Sequence, residues 1–595
     1  MRSVRGTDEV LTLGESSGGF MKKIILSVLF LGILLLCGCS YEDATVSGTF
    51  SDDVSGEIED VFGSAVVIAT PDEYGIDAGD LADGGYHIRI TDGQAVIVSS
   101  DDAGANNAAV RLLSQFMDVT ALASAGDMTV TVTEPEDIAI PSTVSSHMVI
   151  KRDCAVQIHG YATPGDTVYG TFRGEDYTET SAAVADDEGM FRLIFPEMRA
   201  DSKGKTLHIS TSLGGSAAFE DILAGDVWLI TGQSNSGREL YRSMEFYGET
   251  ELPISEDAPV RLYWQDPACK EAAAVITEAQ KDANGTGWTI SSETELKRFS
   301  ALGAYFAEEY ITYADVPVGL IQCSANGAYL TELMQPRLGA ELGIDGRVGA
   351  YYDLMIAPFT EYSVTGVLLW QGESEAGGDG RYQVYSEHLC RYIGALREDF
   401  NDPALPVIQI QLPTYGTTGV EFWPEVQNVR MEQLYASEKM NGFELVSHID
   451  SGTTNAEMED WAHPKNKRPA GVRAARIALQ YVLGFDEWDE TRSPAPESAS
   501  LNGGTITVNF KYTGKGLALA SGTKPTGFHI RYSDGTKEQP VSAEIVNGDT
   551  IKFGYNTEKT PVAISYGDLI YTRPVAPNVV NSSGAQMAAF VTDVK

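Results

Sequence analysis

A serine, a histidine and an aspartate stand at positions from which they could carry out acyl transfer. Ser234 lies in "DVWLITGQSN", where an apolar run leads into a small polar turn. Asp460 and His463 are three residues apart in "EDWAHPKNK". A serine hydroxyl beside an imidazole can attack a carbonyl, and a carboxylate can fix the imidazole tautomer. The three residues therefore predict a nucleophile, a general base and the acid that orients the base.

Each of these features also has an ordinary structural interpretation. A Ser-Asn pair often caps a helix, and an Asp-x-x-His pair on one turn is often a surface pair. Three nearby acids compete with Asp460 for the orienting role: Asp450, Glu457 and Glu459. The sequence alone leaves these alternatives open.

Two further polar turns follow apolar runs. "WQGESEAGG" follows "GVLL", so that Gln371 could offer an amide donor to an oxyanion while Glu373 braces the loop. "IQCSANGAYLTELM" follows "VPVGL", and Gly327 there could expose a backbone N–H. Donors of this kind stabilise the tetrahedral intermediate of acyl transfer.

The segments that must position these residues have the pattern of an α/β domain. Between about 223 and 485, short apolar runs alternate with helical stretches such as "RYQVYSEHLCRYIGALREDF". This alternation predicts a parallel sheet covered on both faces, with its active site at the carboxyl ends of the strands. "NSGRELYRSM" predicts a helix that begins at the serine, so that the positive end of its dipole lies at the Ser234 amide.

The regions on either side of this core are predicted to be smaller domains. The hairpin pattern "GYHIRITDGQAVIVSS" and the helical "NNAAVRLLSQFM" predict a small α+β domain, and alternating strands predict two β-sandwiches. The predicted order is a signal region 1–39, a tether 40–58, an accessory α+β domain 59–140, a β-sandwich 144–222, a catalytic domain 223–488 and a C-terminal β-sandwich 496–595.

Residues 21–40, "MKKIILSVLFLGILLLCGCS", have the pattern of a secretory signal. The ending resembles a bacterial lipobox, which implies cleavage before Cys39 and lipid attachment to its sulfur, with Met21 as the start of translation. We expect an exported lipoprotein at the bacterial cell surface or facing the periplasm, in contact with the membrane only through this anchor. An ordinary signal peptide or a single membrane span is the alternative.

Composition excludes some partners. The chain has 595 residues and a formal net charge of −42, which disfavours binding to nucleic acid. After Cys39, four cysteines remain without CxxC spacing or histidine partners, so we expect no zinc site: Cys154, Cys269, Cys323 and Cys390. Acyl transfer by a serine needs no metal or other cofactor.

Taken together, the motifs resemble the SGNH-hydrolase fold, and within it the sialate O-acetylesterase family of carbohydrate esterases. "GDVWLITGQSNS" is similar to that family's nucleophile block, Gly-Gln-Ser-Asn-Met. "WQGESEAG" is similar to its Trp-Tyr-Gln-Gly-Glu-Ser-Asn block, and "DWAHPKNK" to its Asp-x-x-His-Pro-x-x-Lys block. The similarity extends over about 450 residues from Ser145 onward. The resemblance implies a flavodoxin-like parallel-sheet core flanked by β-sandwich domains, with the small α+β domain in front.

The resemblance also assigns roles and a substrate class. It implies Ser234 as nucleophile, His463 as general base and Asp460 as its orienter, with the Ser234 amide, Gly327 and Gln371 as the oxyanion hole. Either Asn326 or Gly327 occupies the second of these positions. The expected substrate is an acetylated carbohydrate, with O-acetylated sialic acid favoured. Acetylated xylan, a non-catalytic surface glycan-binding lipoprotein and a structural surface protein are the alternatives.

Overall fold

The computed structural model describes residues 57–58, 60–69, 71–74, 81–265, 285–344, 346–415, 423–568 and 576–595. The signal region, Cys39 and the tether up to residue 56 lie outside the described residues. The described chain forms two compact units. One contains the residues up to 140 with 159–195 and 205–219, and the other contains 141–158, 196–204 and the residues from 220 onward. The domain boundaries expected from the sequence stay a prediction.

The front of the first unit is a four-stranded sheet with helices. Its strands pair in the order β1-β3-β2-β4, with β1 and β3 parallel and the other pairs antiparallel. The strands are β1 Val66–Ala69, β2 Tyr86–Thr91, β3 Gln94–Ser99 and β4 Met128–Val132; the helices are Pro71–Tyr74, Asp102–Gln115 and Val119–Ser124, with a 3-10 turn at Gly63–Ala65.

The predicted hairpin and helix of this region are confirmed. Asp92 and Gly93 join β2 to β3 with φ of 52° and 79°, the left-handed pair that a two-residue hairpin turn requires. In the helix Asp102–Gln115, Val110, Leu112 and Leu113 are buried. Phe116, the next apolar residue of the segment, lies just past the helix end.

The segment that follows consists of strands, as its alternating pattern predicts. β7 pairs antiparallel with both β8 and β10. β11 is 17 residues long, and it becomes fully buried toward its carboxyl end. The strands are β5 Val149–Lys151, β6 Val156–Tyr161, β7 Thr167–Arg173, β8 Thr178–Val184, β9 Met190–Phe195, β10 Asp201–Thr211 and β11 Ser216–Gly232.

The core of the second unit is the predicted parallel sheet. Its order is β13-β12-β14-β11-β15-β16-β17, and every neighbouring pair is parallel except β12 with β13. The chain places β12, β13 and β14 on one side of β11 and then crosses to the other side with β15, which makes the carboxyl end of β11 a topological switch point. The further strands are β12 Val260–Gln265, β13 Gly285–Ile290, β14 Val318–Ser324, β15 Gly366–Trp370, β16 Val407–Ile410 and β17 Phe443–Val446.

Helices alternate with these strands. They are Ser234–Gly237, Leu240–Tyr247, Glu293–Arg298, Ala301–Ala314, Leu330–Leu333, Pro336–Leu342, Tyr352–Met355, Tyr385–Asp399, Val426–Lys439 and Arg468–Ile477. Shorter turns are the 3-10 segments Ala357–Phe359, Ser374–Ala376, Arg381–Val384 and Asn455–Glu457 and the π segment Ala478–Val482. The mixed α/β fold is thereby confirmed, whereas the arrangement of flanking domains stays a prediction.

The helix predicted to begin at the serine is much shorter than expected. Ser234–Gly237 forms a single turn, and the chain is extended at Arg238 and Glu239 before the next helix begins. The break occurs because this stretch bonds to another part of the chain: Glu239 forms a β-bridge with Ser300. One turn carries little of a helix dipole, so that the predicted contribution of the dipole at Ser234 is small.

Strands return after residue 495. Two four-stranded sheets, in the orders β18-β19-β24-β23 and β22-β21-β25-β27, contribute buried residues to one hydrophobic core, and β20 pairs with β26. The strands are β18 Ala495–Asn502, β19 Thr505–Lys511, β20 Leu517–Leu519, β21 Phe528–Tyr532, β22 Lys537–Glu538, β23 Ser542–Val546, β24 Thr550–Gly554, β25 Pro561–Tyr566, β26 Val579–Asn581 and β27 Phe590–Asp593.

None of the helices in the described ranges has both the length and the apolar character to cross a membrane. Across the same residues, no group of three or more His, Cys, Asp or Glu side chains is arranged to hold a metal ion. Cys154, Cys323 and Cys390 are free thiols.

A substitution of Gly232, the last residue of β11, tests how closely β11 and β15 approach each other at the switch point. Its φ is +131°, and a Cβ there would lie 2.0 Å from the carbonyl oxygen of Trp370. We expect Gly232→Ala to lower the free energy of unfolding by more than about 3 kcal/mol, because strain and overpacking add. The midpoint of urea unfolding measures the change.

Gly343 provides the matched control for this variant. It also has positive φ, +63°, but an added Cβ meets nothing within 4 Å. Gly343→Ala should therefore cost only about 1–2 kcal/mol, the penalty of the left-handed conformation alone. Equal losses in the two variants would contradict the close approach of β11 and β15.

Candidate active site

The nucleophile candidate lies where β11 and β15 end side by side. The Gln233 N–H donates to the Trp370 carbonyl at 3.1 Å, which holds the polar turn after β11 against the last residue of β15. Ser234 follows at once and is partly exposed. The turn thus presents the serine hydroxyl at the carboxyl edge of the sheet, the edge at which open α/β sheets bind ligands.

The structure brings Ser234, His463 and Asp460 together, although 229 positions separate the serine from the histidine. The distance from His463 Nε2 to Ser234 Oγ is 2.8 Å. His463 Nδ1 lies 2.7 Å from Asp460 Oδ2 and 2.9 Å from Oδ1. With Nδ1 protonated and bonded to the carboxylate, Nε2 is free to accept the serine proton.

A tight turn sets the orientation of the histidine. Asp460 Oδ1 accepts the backbone N–H groups of Ala462 at 2.7 Å and His463 at 3.0 Å, so that one carboxylate shapes the turn and also contacts the imidazole. The Glu459 N–H donates to the His463 carbonyl at 2.8 Å and closes the loop from the other side. An aspartate that bonds to backbone amides two and three residues ahead stabilises such turns without help from a helix.

The other three acids near Asp460 are engaged elsewhere, which resolves the choice among orienters. Each has its own cationic or hydroxyl partner: Asp450 pairs with Arg473, Glu457 accepts from Thr453, and Glu459 pairs with Arg238 and Arg242. Among the described residues, Asp460 is thus the acid that contacts His463.

The electrostatics of the pair favour a neutral base and a charged acid. Burial lowers the pKa of His463 below its ordinary value, and the charges of Lys467 and Arg238 act in the same direction, while Asp460 opposes them. Burial alone would raise the pKa of Asp460, but hydrogen bonds from Ala462 and His463 outweigh it and hold the pKa below the ordinary value. The imidazole is therefore available as a proton acceptor at neutral pH.

Gly327 lies in a turn that exposes its backbone. The Ala328 N–H donates to the Ala325 carbonyl at 3.1 Å, which places Gly327 at the third position of a four-residue turn with φ +67°. A turn with positive φ at that position favours glycine. Gly327 is exposed, its carbonyl accepts from Ser374 Oγ at 3.1 Å, and its N–H has no hydrogen-bond partner in the described part of the chain. Asn326 precedes it in the same turn and is also exposed.

The contacts of Gln371 differ from those that an oxyanion donor needs, which is a free N–H group facing the substrate. The side chain is fully buried, and its amide nitrogen contacts Glu375 Oε2 at 2.6 Å and the Ala328 carbonyl at 3.3 Å. Its amide oxygen accepts from the Tyr385 hydroxyl at 2.8 Å. Since both N–H groups are occupied by protein acceptors, the geometry gives Gln371 the task of holding loops together and does not support donation to an oxyanion.

Asn235, beside the serine, has a role that the sequence analysis missed. It is 1% exposed, and its amide nitrogen donates to Glu373 Oε1 at 2.7 Å and to the Ala462 carbonyl at 3.0 Å. Its amide oxygen accepts from Lys467 Nζ at 2.6 Å. The position next to Ser234 was a signal for Asn235. The signal for Lys467 was its place at the end of the Asp-x-x-His-Pro-x-x-Lys block, although the sequence does not show that this side chain is buried.

The bracing role predicted for Glu373 agrees with its contacts. Glu373 is 1% exposed and accepts from both Asn235 and the Trp370 indole, at 2.7 Å and 3.0 Å. Burial raises the pKa of Glu373. It also raises the pKa of Glu375, to about 7, although that side chain accepts hydrogen bonds from the Leu330 amide and Gln371. Both carboxylates thus lie inside the scaffold beneath the site.

Ser236 and Arg430 also lie inside this scaffold. Ser236 is fully buried and donates to the Gln233 carbonyl at 2.6 Å. Arg430 is 2% exposed, and it donates to the carbonyls of Leu412 at 2.8 Å and Gly567 at 3.0 Å. Both side chains therefore form bonds within the fold.

Residues 224–466 match the family model described as carbohydrate esterase, sialic acid-specific acetylesterase. The sialate O-acetylesterases of Homo sapiens and Pongo abelii are each 23% identical to the chain over 270 residues. The aligned part is 39% of this chain and 48% of each relative, so that the chain spans about half the length of the curated relatives it matches.

A solved structure shares the fold. The crystal structure of a carbohydrate acetylesterase from Xanthomonas citri matches with a TM-score of 0.65 and 24% identity, over 77% of this chain and 99% of that chain. The segment that matches the family model contains Ser234, Gly327, Asp460 and His463. The match to the carbohydrate esterase, sialic acid-specific acetylesterase model therefore covers the part of the chain that contains this site.

Proposed function

We propose that the chain is a serine esterase that removes O-acetyl groups from sugars. The observation that carries the proposal is the 2.8 Å contact between Ser234 Oγ and His463 Nε2, with Asp460 on the other imidazole nitrogen. The family model that residues 224–466 match, described as sialic acid-specific acetylesterase, supports the choice of an acetyl ester on a carbohydrate. A purely sugar-binding or structural protein would have no use for this arrangement.

In the first half of the reaction, Ser234 Oγ attacks the acetyl carbonyl while His463 Nε2 takes the hydroxyl proton. The carbonyl bond becomes a C–O⁻ single bond, and Asp460 stabilises the imidazolium that has formed. The tetrahedral intermediate then collapses. The C–O bond to the sugar breaks, and His463 returns its proton to the sugar oxygen as the sugar leaves.

In the second half, water hydrolyses the acetyl-serine. His463 removes a proton from water, the resulting hydroxide adds to the acetyl carbonyl, and the bond to Ser234 Oγ breaks. The serine oxygen takes the proton back from the imidazolium, and acetate leaves. We assign the oxyanion hole to the Ser234 N–H and the Gly327 N–H, because the exposed glycine turn lets an oxyanion approach closely.

Among sugars, we propose O-acetylated sialic acid as substrate, with acetylated xylan as the alternative. Sialic acid carries a carboxylate, which an arginine could bind. Arg238 pairs with Glu459, and its side chain is only 22% exposed. Arg381 pairs with Asp379 at 2.5 Å, but its side chain is 50% exposed and that of Asp379 is 47% exposed, so that Arg381 is the better partner for a substrate anion. Its guanidinium lies 4.4 Å from the centre of the Tyr329 ring, two residues after Gly327.

We also propose that the chain is exported and anchored through a lipid on Cys39. The support is the lipobox pattern at the end of residues 21–40. The net charge of −42 disfavours nucleic acid as a partner and does not bear on the anchor.

Replacing the nucleophile tests the activity. Ser234→Ala should reduce acetate release from an acetylated sugar and from a chromogenic acetyl ester by at least about 1,000-fold, because the triad acts as a unit. Initial rates with both substrates measure the loss. Ser437→Ala is the control. Its hydroxyl bonds to the Leu434 carbonyl within the helix Val426–Lys439, so that its removal should leave both rates unchanged. Full acetate release by Ser234→Ala would refute the assignment.

The pH dependence tests the base. Since the pKa of His463 is held below its ordinary value, the imidazole stays neutral, and the enzyme active, at lower pH than a free histidine would allow. We expect the acid limb of kcat/KM to lie below pH ~6.5, the unperturbed value. A pH profile measured with a neutral acetyl ester checks this. A limb at or above that value would contradict the surroundings described for His463.

The choice of sugar is tested at Arg381. Arg381→Gln should lower kcat/KM for O-acetylated sialic acid about 10-fold or more, as expected for the loss of a charge-assisted contact, and leave acetylated xylan unaffected. Arg391→Gln is the matched control, because Arg391 is also 50% exposed and pairs with a surface acid, Glu341, at 2.5 Å. Equal rates on sialate in the Arg381→Gln variant and the unmodified protein would exclude this role and favour a neutral sugar.

A further inference from the structure

Lys467 is a buried cation directly beneath the nucleophile turn. It follows His463 by four residues, precedes the helix Arg468–Ile477 and is 1% exposed. Its Nζ lies 2.6 Å from Asn235 Oδ1 and 4.3 Å from the centre of the Trp370 ring. Removing an ammonium group from water is costly, so that a buried lysine without a compensating task would be replaced at a gain in stability.

The direct partners of Lys467 are neutral. Its hydrogen-bond acceptor is an amide oxygen, and the ring of Trp370 offers only a π face. Within the described residues, no carboxylate oxygen lies within 4.0 Å of Nζ, since Lys467 takes part in none of the ion pairs found there. The positive charge is therefore not cancelled by contact and acts on its surroundings.

Asn235 links Lys467 to the two loops of the site. Its amide group bonds to Lys467, to Glu373 and to the carbonyl of Ala462, the residue before His463. The residue before Asn235 is Ser234. One amide plane thus fixes the serine turn relative to the histidine loop, and the ammonium of Lys467 determines which way that plane faces.

We propose that Lys467 is a positioning residue for the reaction at Ser234. It holds Asn235 so that the serine turn and the His463 loop keep their relative position, and its charge acts on the His463 imidazole. This inference rests on the proposed esterase function and adds to it a residue outside the triad. Lys467 touches neither Ser234 Oγ nor the imidazole in the hydrogen bonds described, so that it acts through Asn235 and through its field.

The charge of Lys467 is present where His463 titrates. The charged and titratable groups that face Lys467 are Glu373, Arg238, Glu459, Asp460 and the imidazoles of His463 and His448. Burial lowers the pKa of Lys467 to about 7, so that the amine is protonated in the acid range. In this pH range the charge of Lys467 disfavours protonation of His463, so that the imidazole stays neutral to lower pH.

The test replaces Lys467 with methionine, which has a similar length without the donor or the charge. We expect Lys467→Met to lower kcat about 10- to 100-fold with KM within about twofold, because a displaced nucleophile costs rate more than binding. We also expect the acid limb of kcat/KM to move to higher pH, since the loss of a nearby positive charge raises the pKa of His463. A purely structural role would not move this limb.

Lys465→Met is the matched control, since it removes a lysine charge from the same loop. Lys465 is partly exposed, and its Nζ contacts only the Ala456 carbonyl, at 3.3 Å, in the hydrogen bonds described. Its kcat and acid limb should match those of the unmodified protein. An unchanged kcat in Lys467→Met, or a lower kcat with an unmoved limb, overturns the proposal.

A second variant covers the case in which Lys467→Met does not fold. Asn235→Ala keeps the lysine charge and removes the amide link, so that kcat should fall about 10- to 100-fold while the acid limb stays below pH ~6.5. If both variants fold, their losses in kcat should be markedly less than additive, since they break one linkage. Undiminished kcat in Asn235→Ala, or additive losses, overturns the proposal. An unmodified protein without acetate release would instead refute the esterase function itself.

Discussion

The site depends on one buried amide, that of Asn235, which joins segments far apart in the chain. Its nitrogen bonds to Glu373 after β15 and to the carbonyl of Ala462 before His463, while its oxygen accepts from Lys467. These contacts leave the Asn235 side chain little freedom, and Ser234 is its direct neighbour. The 2.8 Å approach of the serine oxygen to the imidazole is therefore maintained by bonds that involve neither group.

The scaffold beneath the site is polar although it is buried, and this has an energetic cost that the fold must offset. Glu373, Glu375 and Gln371 are at most 5% exposed, and Lys467 is 1% exposed. Groups of this kind destabilise a protein unless their hydrogen bonds are satisfied, and when satisfied they specify one geometry. The aliphatic strands β11, β14 and β15 on which the loops stand are fully or almost fully buried in this part of the sheet and supply the compensating hydrophobic contacts. The hydrophobic strands thus supply stability, and the polar scaffold above them fixes the geometry of the site.

The sequence was informative wherever a pattern is local. The apolar runs predict β11, β14, β15 and β16, and the Asp-x-x-His spacing predicts one turn that holds both side chains, as found. Interactions between distant residues were not predictable. The helix after Ser234 ends after one turn because Glu239 bridges to Ser300, and the Gln371 amide faces Glu375, four residues on, because both are folded inward. Burial of Lys467 rather than Lys465 likewise depends on tertiary packing that no spacing rule expresses.

The base and its orienting acid belong to one loop. Asp460, 38% exposed at its side chain, and His463, 14% exposed, are fixed mainly by short-range backbone bonds within residues 459–463. Segments held in this way can open locally without unfolding of the sheet on which they rest. Such an opening would withdraw imidazole and carboxylate in a single movement and leave an unactivated alcohol on an intact scaffold. The opening equilibrium of that loop, which amide hydrogen exchange measures, would then set the fraction of molecules competent to react, rather than global stability.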